Sequence, residues 1–195
     1  KTLFNLDETI ARDIFVDVTY PWEVLPKIKD FILTLGESLS SDDYDCPQEH
    51  VWIAKSATIA PTATIQPPCI IGKNTEVRPG AFIRGNAIVG EDCVVGNSTE
   101  LKNVILFNNV QVPHYNYVGD SILGYRAHLG AGAITSNFKM DKGMVDVFYG
   151  ENRVKTGLNK LGAIIGDFVE VGCGSVLNPG TVIGANTHIY PLSSV

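Results

Sequence analysis

Arg84 and Lys102 lie eighteen residues apart, and each directly follows an aliphatic residue, Ile83 and Leu101. Two cations brought side by side repel each other until an anion joins them. A phosphate dianion suits such a pair, because the arginine fork grips two oxygens and the lysine supplies a point charge. Twelve residues after Lys102 comes His114, between Pro113 and Tyr115. A histidine exchanges a proton near neutral pH and is the commonest general base. Glu100 stands fourteen residues earlier, about one coil of an eighteen-residue turn, and is expected to hold the imidazole in one tautomer. Tyr117 and the glycine-rich run Gly130, Ala131 and Gly132 are close in sequence. Taken singly, these residues read as solvated cations and a structural histidine. Their meaning depends on what positions them.

That is a six-residue rhythm. Ile53, Ile59, Ile65, Ile71, Val77, Ile83, Val89, Val95 and Leu101 recur every six positions without a break. Four places after each of the first eight comes a compact residue: Ala57, Ala63, Cys69, Thr75, Ala81, Ala87, Cys93 and Thr99. A helix would space its apolar residues by three and four, and a simple strand by two. A period of six marks a left-handed parallel β-helix. Each hexad forms one flat face, three faces make a triangular coil of eighteen residues, the aliphatic residue points inward, and the compact one sits near a corner. Residues eighteen apart then stack on neighbouring coils about 4.8 Å apart. Arg84 and Lys102 therefore point outward together.

The rhythm slips twice. Leu101 is followed by Leu106, Val112 and Val118, and Val118 by Leu123 and Leu129, so two faces are five residues long. Such departures imply a tightened corner or a local irregularity, and they are where a solenoid tends to carry special geometry. From residue 137 to 162 the rhythm vanishes into a lysine-rich insertion whose VDVFY, GEN and RVKT segments read as a hairpin. It resumes with Ile165, Val171, Leu177, Ile183, Ile189 and Val195. Residues 1–50 do not follow it. They are expected to form a helical appendage: a weak helix over residues 7–15, then a helix carrying Trp22, Leu25, Ile28, Ile32 and Leu35. Pro21 or Pro26 should start that helix and Gly36 stop it. Trp22 and Phe31 should pack it on the solenoid. The acidic run at residues 37–49 reads as a linker, and one role for the appendage is to cap the open first coil. The expected organisation is thus an appendage over residues 1–50 and an all-β solenoid over residues 51–195 with a loop inserted at about 137–162.

Composition narrows the partners. A net charge of −6 and a pI near 5.1 argue against nucleic acid or an anionic membrane. No apolar run approaches the roughly 20 residues of a membrane span. No signal-peptide pattern opens the sequence, and Cys46, Cys69, Cys93 and Cys173 form no C-x-x-C pair, so reduced thiols in a cytoplasmic protein are expected. The histidines His50, His114, His128 and His188 include no H-x4-H pair, which argues against a zinc site of the γ-carbonic-anhydrase kind and against any required metal.

The stretch ELKNVILFNNVQVPHYNYVGDSILGYRAHLGAGAITSNF and the later VKTGLNKLGAIIGD resemble the acetyltransferase half of the bifunctional enzymes that make UDP-N-acetylglucosamine, in their archaeal form. YPWEVL, at residues 20–25, resembles the junction before that half. Nothing in the chain resembles the glycine-rich nucleotide loop of the other half. The resemblance implies that His114 acts as general base on an amino group and that Arg84 and Lys102 bind a sugar phosphate. It implies that Tyr117 contacts the sugar, that Asn137 lies near the amino group, and that Lys160 is a loop lysine at the substrate. It implies acetyl-coenzyme A as co-substrate, touched by the backbone of Ala131 and by Cys173, and a homotrimer with the coenzyme between subunits. Two positions depart from the family pattern. His128 stands where an asparagine usually contacts the sugar, and Leu158 and Asn159 replace an arginine pair before Lys160.

The expected activity is acetyl-coenzyme-A-dependent N-acetylation of a hexosamine-1-phosphate, with glucosamine and galactosamine both open. Acylation of another amino or nucleotide-linked sugar remains an alternative, and so does a non-catalytic trimeric module that binds sugar phosphate. In the enzymatic readings an ammonium must lose a proton before it attacks a thioester, and the run at Gly130 to Gly132 would offer backbone N–H groups to the charge that develops.

Overall fold

A computed structural model describes residues 3–195. The aliphatic period closes the chain into a three-sided parallel β-solenoid. The first face carries Val51–Ala54, Cys69–Ile71, Ala87–Val89, the C-terminal parts of Glu100–Leu106 and Tyr117–Leu123, Ala163–Ile165 and Thr181–Ile183. The second carries Thr58–Ile59, Glu76–Val77, Val94–Asn97, Gln111–His114, His128–Leu129, Glu170–Val171 and His188–Ile189. The third carries Thr64–Ile65, Phe82–Ile83, the N-terminal parts of Glu100–Leu106 and Tyr117–Leu123, Ile134–Thr135 and Val176–Leu177. Ile83, Val89, Val95, Leu101, Leu106, Val112, Val118, Leu123 and Leu129 fill the prism and are fully buried.

The slips have a single cause. Ile71 pairs with Val89 after eighteen residues, but Val89 pairs with Leu106 and Leu106 with Leu123 after seventeen. Both missing residues come from the corner between the third and first faces. There Glu100–Leu106 and Tyr117–Leu123 run around the bend as continuous strands. Asn103 (φ 55°) and Asp120 (φ 48°) make the bend in the left-handed region, which asparagine and aspartate tolerate best among residues with a side chain. The insertion leaves and rejoins at this same corner: Leu161 N donates to Asn137 O (3.0 Å) and Gly162 N to Asp120 O (2.8 Å). Its hairpin pairs Val145–Tyr149 with Asn152–Leu158, as its sequence predicts.

The first face has a second apolar column. Ile70, Ile88, Ile105, Ile122 and Ile164 each precede an inward residue, so they point outward, yet all are fully buried. The appendage covers them. Helix α1 (Ile28–Ser38) lies across Cys69–Ile71, Ala87–Val89 and Glu100–Leu106, and the 3₁₀ turn Pro21–Lys27 lies on Tyr117–Leu123. Trp22 is buried and Phe31 half-buried at this interface.

Three expectations for the appendage are corrected. Residues 7–15 form two 3₁₀ turns, Leu6–Glu8 and Arg12–Phe15, which bring Phe15 and Phe4 onto Phe107. Gly36 does not stop the helix. It lies inside α1, pressed so tightly on the Trp52 ring that a Cβ has no room. The acidic run is not simply a linker, because Tyr44–Gln48 pairs antiparallel with Val51–Ala54 and satisfies the open edge of the first coil. No helix among the described residues is long and apolar enough to cross a membrane.

Because Leu101 is fully buried where the first five-residue face begins, Leu101→Ala should lower unfolding stability by about 2–5 kcal/mol. Val16→Ala, at a side chain 61% exposed, should stay within about 0.5 kcal/mol. Urea denaturation followed by circular dichroism checks both.

Candidate active site

Outward positions of the third face form two columns. Phe82, Glu100, Tyr117 and Ile134 stack in one, and Arg84, Lys102 and Gly119 in the other. The sequence-predicted cations are therefore neighbours, with Arg84 N donating to Leu101 O at 2.8 Å. The anions that join them here are the chain's own. The Arg84 guanidinium donates to Glu100 Oε1 at 2.7 Å, and the ammonium of Lys102 donates to both oxygens of Asp120, at 3.0 and 3.1 Å. The hydrogen bond to Glu100 raises the pKa of Arg84 above its ordinary value. The expected role of Glu100 is corrected accordingly: its carboxylate is engaged by Arg84 on the third face, and no described residue hydrogen-bonds the His114 ring.

Asp120 was not among the sequence candidates. It is buried, and besides Lys102 it accepts from Asn103 Nδ2 at 2.9 Å and from the Asn137 amide. The same amide donates to the Tyr117 hydroxyl at 3.1 Å, which unites the predicted pair Tyr117 and Asn137. Burial, then the charges of Asp120 and Glu100, push the Tyr117 phenol upward in pKa. Gly119 makes this possible, since a Cβ there would stand 2.5 Å from the Tyr117 oxygen. A seventeen-residue spacing from Asn103 to Asp120, at the two slips, is the sequence signal that would have found them.

His114 closes the second face, three residues before Tyr117, so their backbones are at most about 11 Å apart. Its ring is exposed, but its backbone is held: His114 N donates to Asn116 Oδ1 (3.1 Å), and His114 O accepts from Gly132 N (3.0 Å). Asn116 is the second residue that sequence reasoning missed. Buried at the corner between second and third faces, its amide also donates to Gly130 O (2.9 Å) and Ala133 O (3.0 Å), stapling the histidine to the glycine-rich turn. One coil further on, Gly174 N donates to Ala131 O at 2.9 Å, and Cys173 lies against Gly130. His114, Ala131 and Cys173 thus share one corner. Of the turn's donors, Gly130 N is spent on Val171 O and Gly132 N on His114 O, while Ala131 N has no acceptor among the described residues.

The GMPPB C-terminal domain family matches residues 65–171. The chain belongs to that family. It is 38% identical over 175 residues to the bifunctional protein GlmU of Methanococcus maripaludis, covering 89% of this chain and 42% of the relative. It is 32% identical over 180 residues to a bifunctional sugar-1-phosphate nucleotidylyltransferase/acetyltransferase of Sulfurisphaera tokodaii, covering 91% of this chain and 45% of the relative. The chain therefore spans less than half the length of these curated relatives. A hexapeptide transferase family protein from Anaplasma phagocytophilum has the same fold, with a TM-score of 0.55, 21% identity, and 72% of this chain and 75% of that one covered.

Two further candidates stand apart from the third-face network in a single GMPPB C-terminal domain family chain. His128 lies on the second face, its Nδ1 2.7 Å from Glu170 Oε2, in a groove of about 350 Å³ shared with Asn109, Gln111 and Arg126. Lys160 lies at the root of the insertion beside Leu161, with its ammonium 5.9 Å from the Phe138 ring centroid. All four cysteines are free. Burial pushes the thiols of Cys69 and Cys93 up to about 12, whereas Cys46 and Cys173 are exposed. A colorimetric thiol reagent at pH 8 should therefore find two reactive cysteines in the native protein and four after denaturation.

Proposed function

We propose that this chain is an acetyl-coenzyme-A-dependent N-acetyltransferase of a hexosamine-1-phosphate. The observation that carries the reading is the stacked Arg84 and Lys102 on the face that also bears Tyr117 and Asn137, with His114 one corner away. The names of the relatives support it, since one that aligns with 91% of this chain is a bifunctional sugar-1-phosphate nucleotidylyltransferase/acetyltransferase.

In this reading the sugar phosphate bridges Arg84 and Lys102 and displaces Glu100 from the arginine. An exposed ion pair of this kind is worth only about 0–1 kcal/mol, so a dianion competes with it readily. Tyr117 and Asn137 orient the sugar and its amino group. His114 takes a proton from the ammonium, and the free amine attacks the thioester carbonyl. The N–C bond forms and the C–S bond breaks; of the two protons the ammonium gives up, one passes to the thiolate to make the free thiol of coenzyme A and the other is released to solvent. The unpaired N–H of Ala131 faces the coenzyme and donates to the oxygen on which charge develops. Cys173 contacts the coenzyme from the next coil. Holding amine and thioester together supplies much of the acceleration.

A homotrimer is part of the proposal. The appendage closes the first face and leaves the second and third open, and the candidates are divided between those two. A neighbouring copy that lays its second face along this third face would bring its His128 to the sugar and close a groove over the coenzyme. Lys160 would reach the substrate from the loop root. Multi-angle light scattering should give the mass of three chains; a monomer that is fully active would refute the shared site.

Thiol release from acetyl-coenzyme A should depend on glucosamine-1-phosphate or galactosamine-1-phosphate. His114→Ala should lose about 10²-fold or more in kcat. Arg84→Ala should mainly raise KM for the sugar phosphate. Glu100→Gln should lower that KM by a few-fold, because it frees Arg84; a loss like that of His114→Ala would instead make Glu100 the partner of the base. Turnover only with unphosphorylated or nucleotide-linked sugars would transfer the reading to those substrates. Absence of coenzyme binding would leave a non-catalytic module.

A further inference from the structure

We propose that Asp120 is the positioning residue on which the sugar-phosphate subsite hangs. The proposal rests on the acetyltransferase reading above, and it adds a residue that touches none of the reactants. The Asp120 side chain is only 6% exposed, and it collects donors from the turns on both sides of its own. Lys102 and Asn103 come from the turn before, both on its carboxylate. Asn137 comes from the turn after, also on the carboxylate, and passes the constraint on to the Tyr117 hydroxyl. The backbone carbonyl of Asp120 meanwhile accepts from Gly162 N at 2.8 Å. The residue at which the insertion leaves and the residue at which it returns are thus both tied to Asp120.

Asp120 lies at a corner that is one residue short. With φ at 48°, it holds its carboxylate against the Lys102 ammonium. Gly119 clears the path, since a Cβ would stand 2.9 Å from Asn137 Nδ2. A buried carboxylate holds its partners in one arrangement, because removing it leaves a half-buried ammonium unpaired. Glu100 and Asp120 therefore do different work. Glu100 is an exposed anion that Arg84 can release to a ligand. Asp120 is a fixed one that keeps the Lys102 ammonium and the Asn137 amide at set positions while a ligand comes and goes.

A staple that served stability alone would leave substrate affinity untouched. The test is steady-state kinetics on the full chain with acetyl-coenzyme A and hexosamine-1-phosphate, alongside thermal unfolding. Asp120→Asn keeps the shape and removes the charge. It should raise KM for the sugar phosphate about 10-fold or more while KM for acetyl-coenzyme A stays within about twofold. In a cycle with Lys102→Ala the double variant should lose little more than Lys102→Ala alone, because the first effect acts through the second residue. A folded Asp120→Asn with unchanged sugar-phosphate KM, or with both KM values raised alike, overturns the proposal. If Asp120→Asn does not fold, Asn103→Gly serves instead. Glycine accepts the left-handed backbone there, and loss of the amide should raise the sugar-phosphate KM several-fold; no change overturns the proposal. A wild-type chain that neither acetylates nor binds a hexosamine phosphate in calorimetry overturns the functional reading itself. An active wild type with unaffected variants overturns only the assignment of Asp120.

Discussion

In a solenoid whose turns rise about 4.8 Å, an outward side chain has neighbours chiefly from its own column and the next one. Every chemical feature of this protein follows from that restriction. Arg84 and Lys102 are forced into adjacency by Ile83 and Leu101, which must both fill the prism. Adjacency of like charges then demands carboxylates, and the positions that can supply them are the neighbouring column, where Glu100 stands, and the corner, where Asp120 stands. A seventeen-residue turn changes the restriction without breaking it. It keeps the inward column aligned while shortening by one residue the corner at which Asp120 sits.

The two ion pairs are unequal in a way that suits a site which must be stable when empty and accessible when filled. Arg84 and Glu100 have side chains 43% and 34% exposed, and water screens their attraction. Lys102 and Asp120 are more enclosed, and Asp120 is satisfied on every side by amides as well as by the ammonium. Desolvation makes the second pair costlier to separate than the first. His114 is organised differently. Its ring is left to solvent while Asn116 fixes its backbone, which sets where the imidazole starts from and leaves its ring nitrogens available.

The appendage explains why the candidate residues lie on two faces. The first face exposes a ladder of isoleucines from Ile70 to Ile164, and a ladder of that size left in water would be an association surface. Helix α1 and the turn before it bury it within the same chain, and Gly36 allows the helix to sit directly on Trp52. The strand Tyr44–Gln48 then occupies the edge of the first coil. What remains uncovered is the second face with its polar groove and the third with its charged network.

Much of this was already written in the order of residues. A period of six admits one kind of closure, so the inward column, the adjacency of Arg84 and Lys102 and the two five-residue faces could be placed by counting along the chain, and strand-forming residues around the GEN turn marked the Val145–Tyr149 hairpin. Counting says which residue stacks on which, because backbone pairing repeats with the coil. It does not say where a flexible side chain ends, and so it does not show that the Glu100 carboxylate engages Arg84. Nor does it reveal that Asp120 turns inward, that Asn116 staples the histidine to Gly130, or that the second isoleucine of a pair such as Ile70 and Ile71 has a helix above it. Those outcomes depend on left-handed corner dihedrals and on contacts between segments far apart in sequence, and only the folded chain brings them into being.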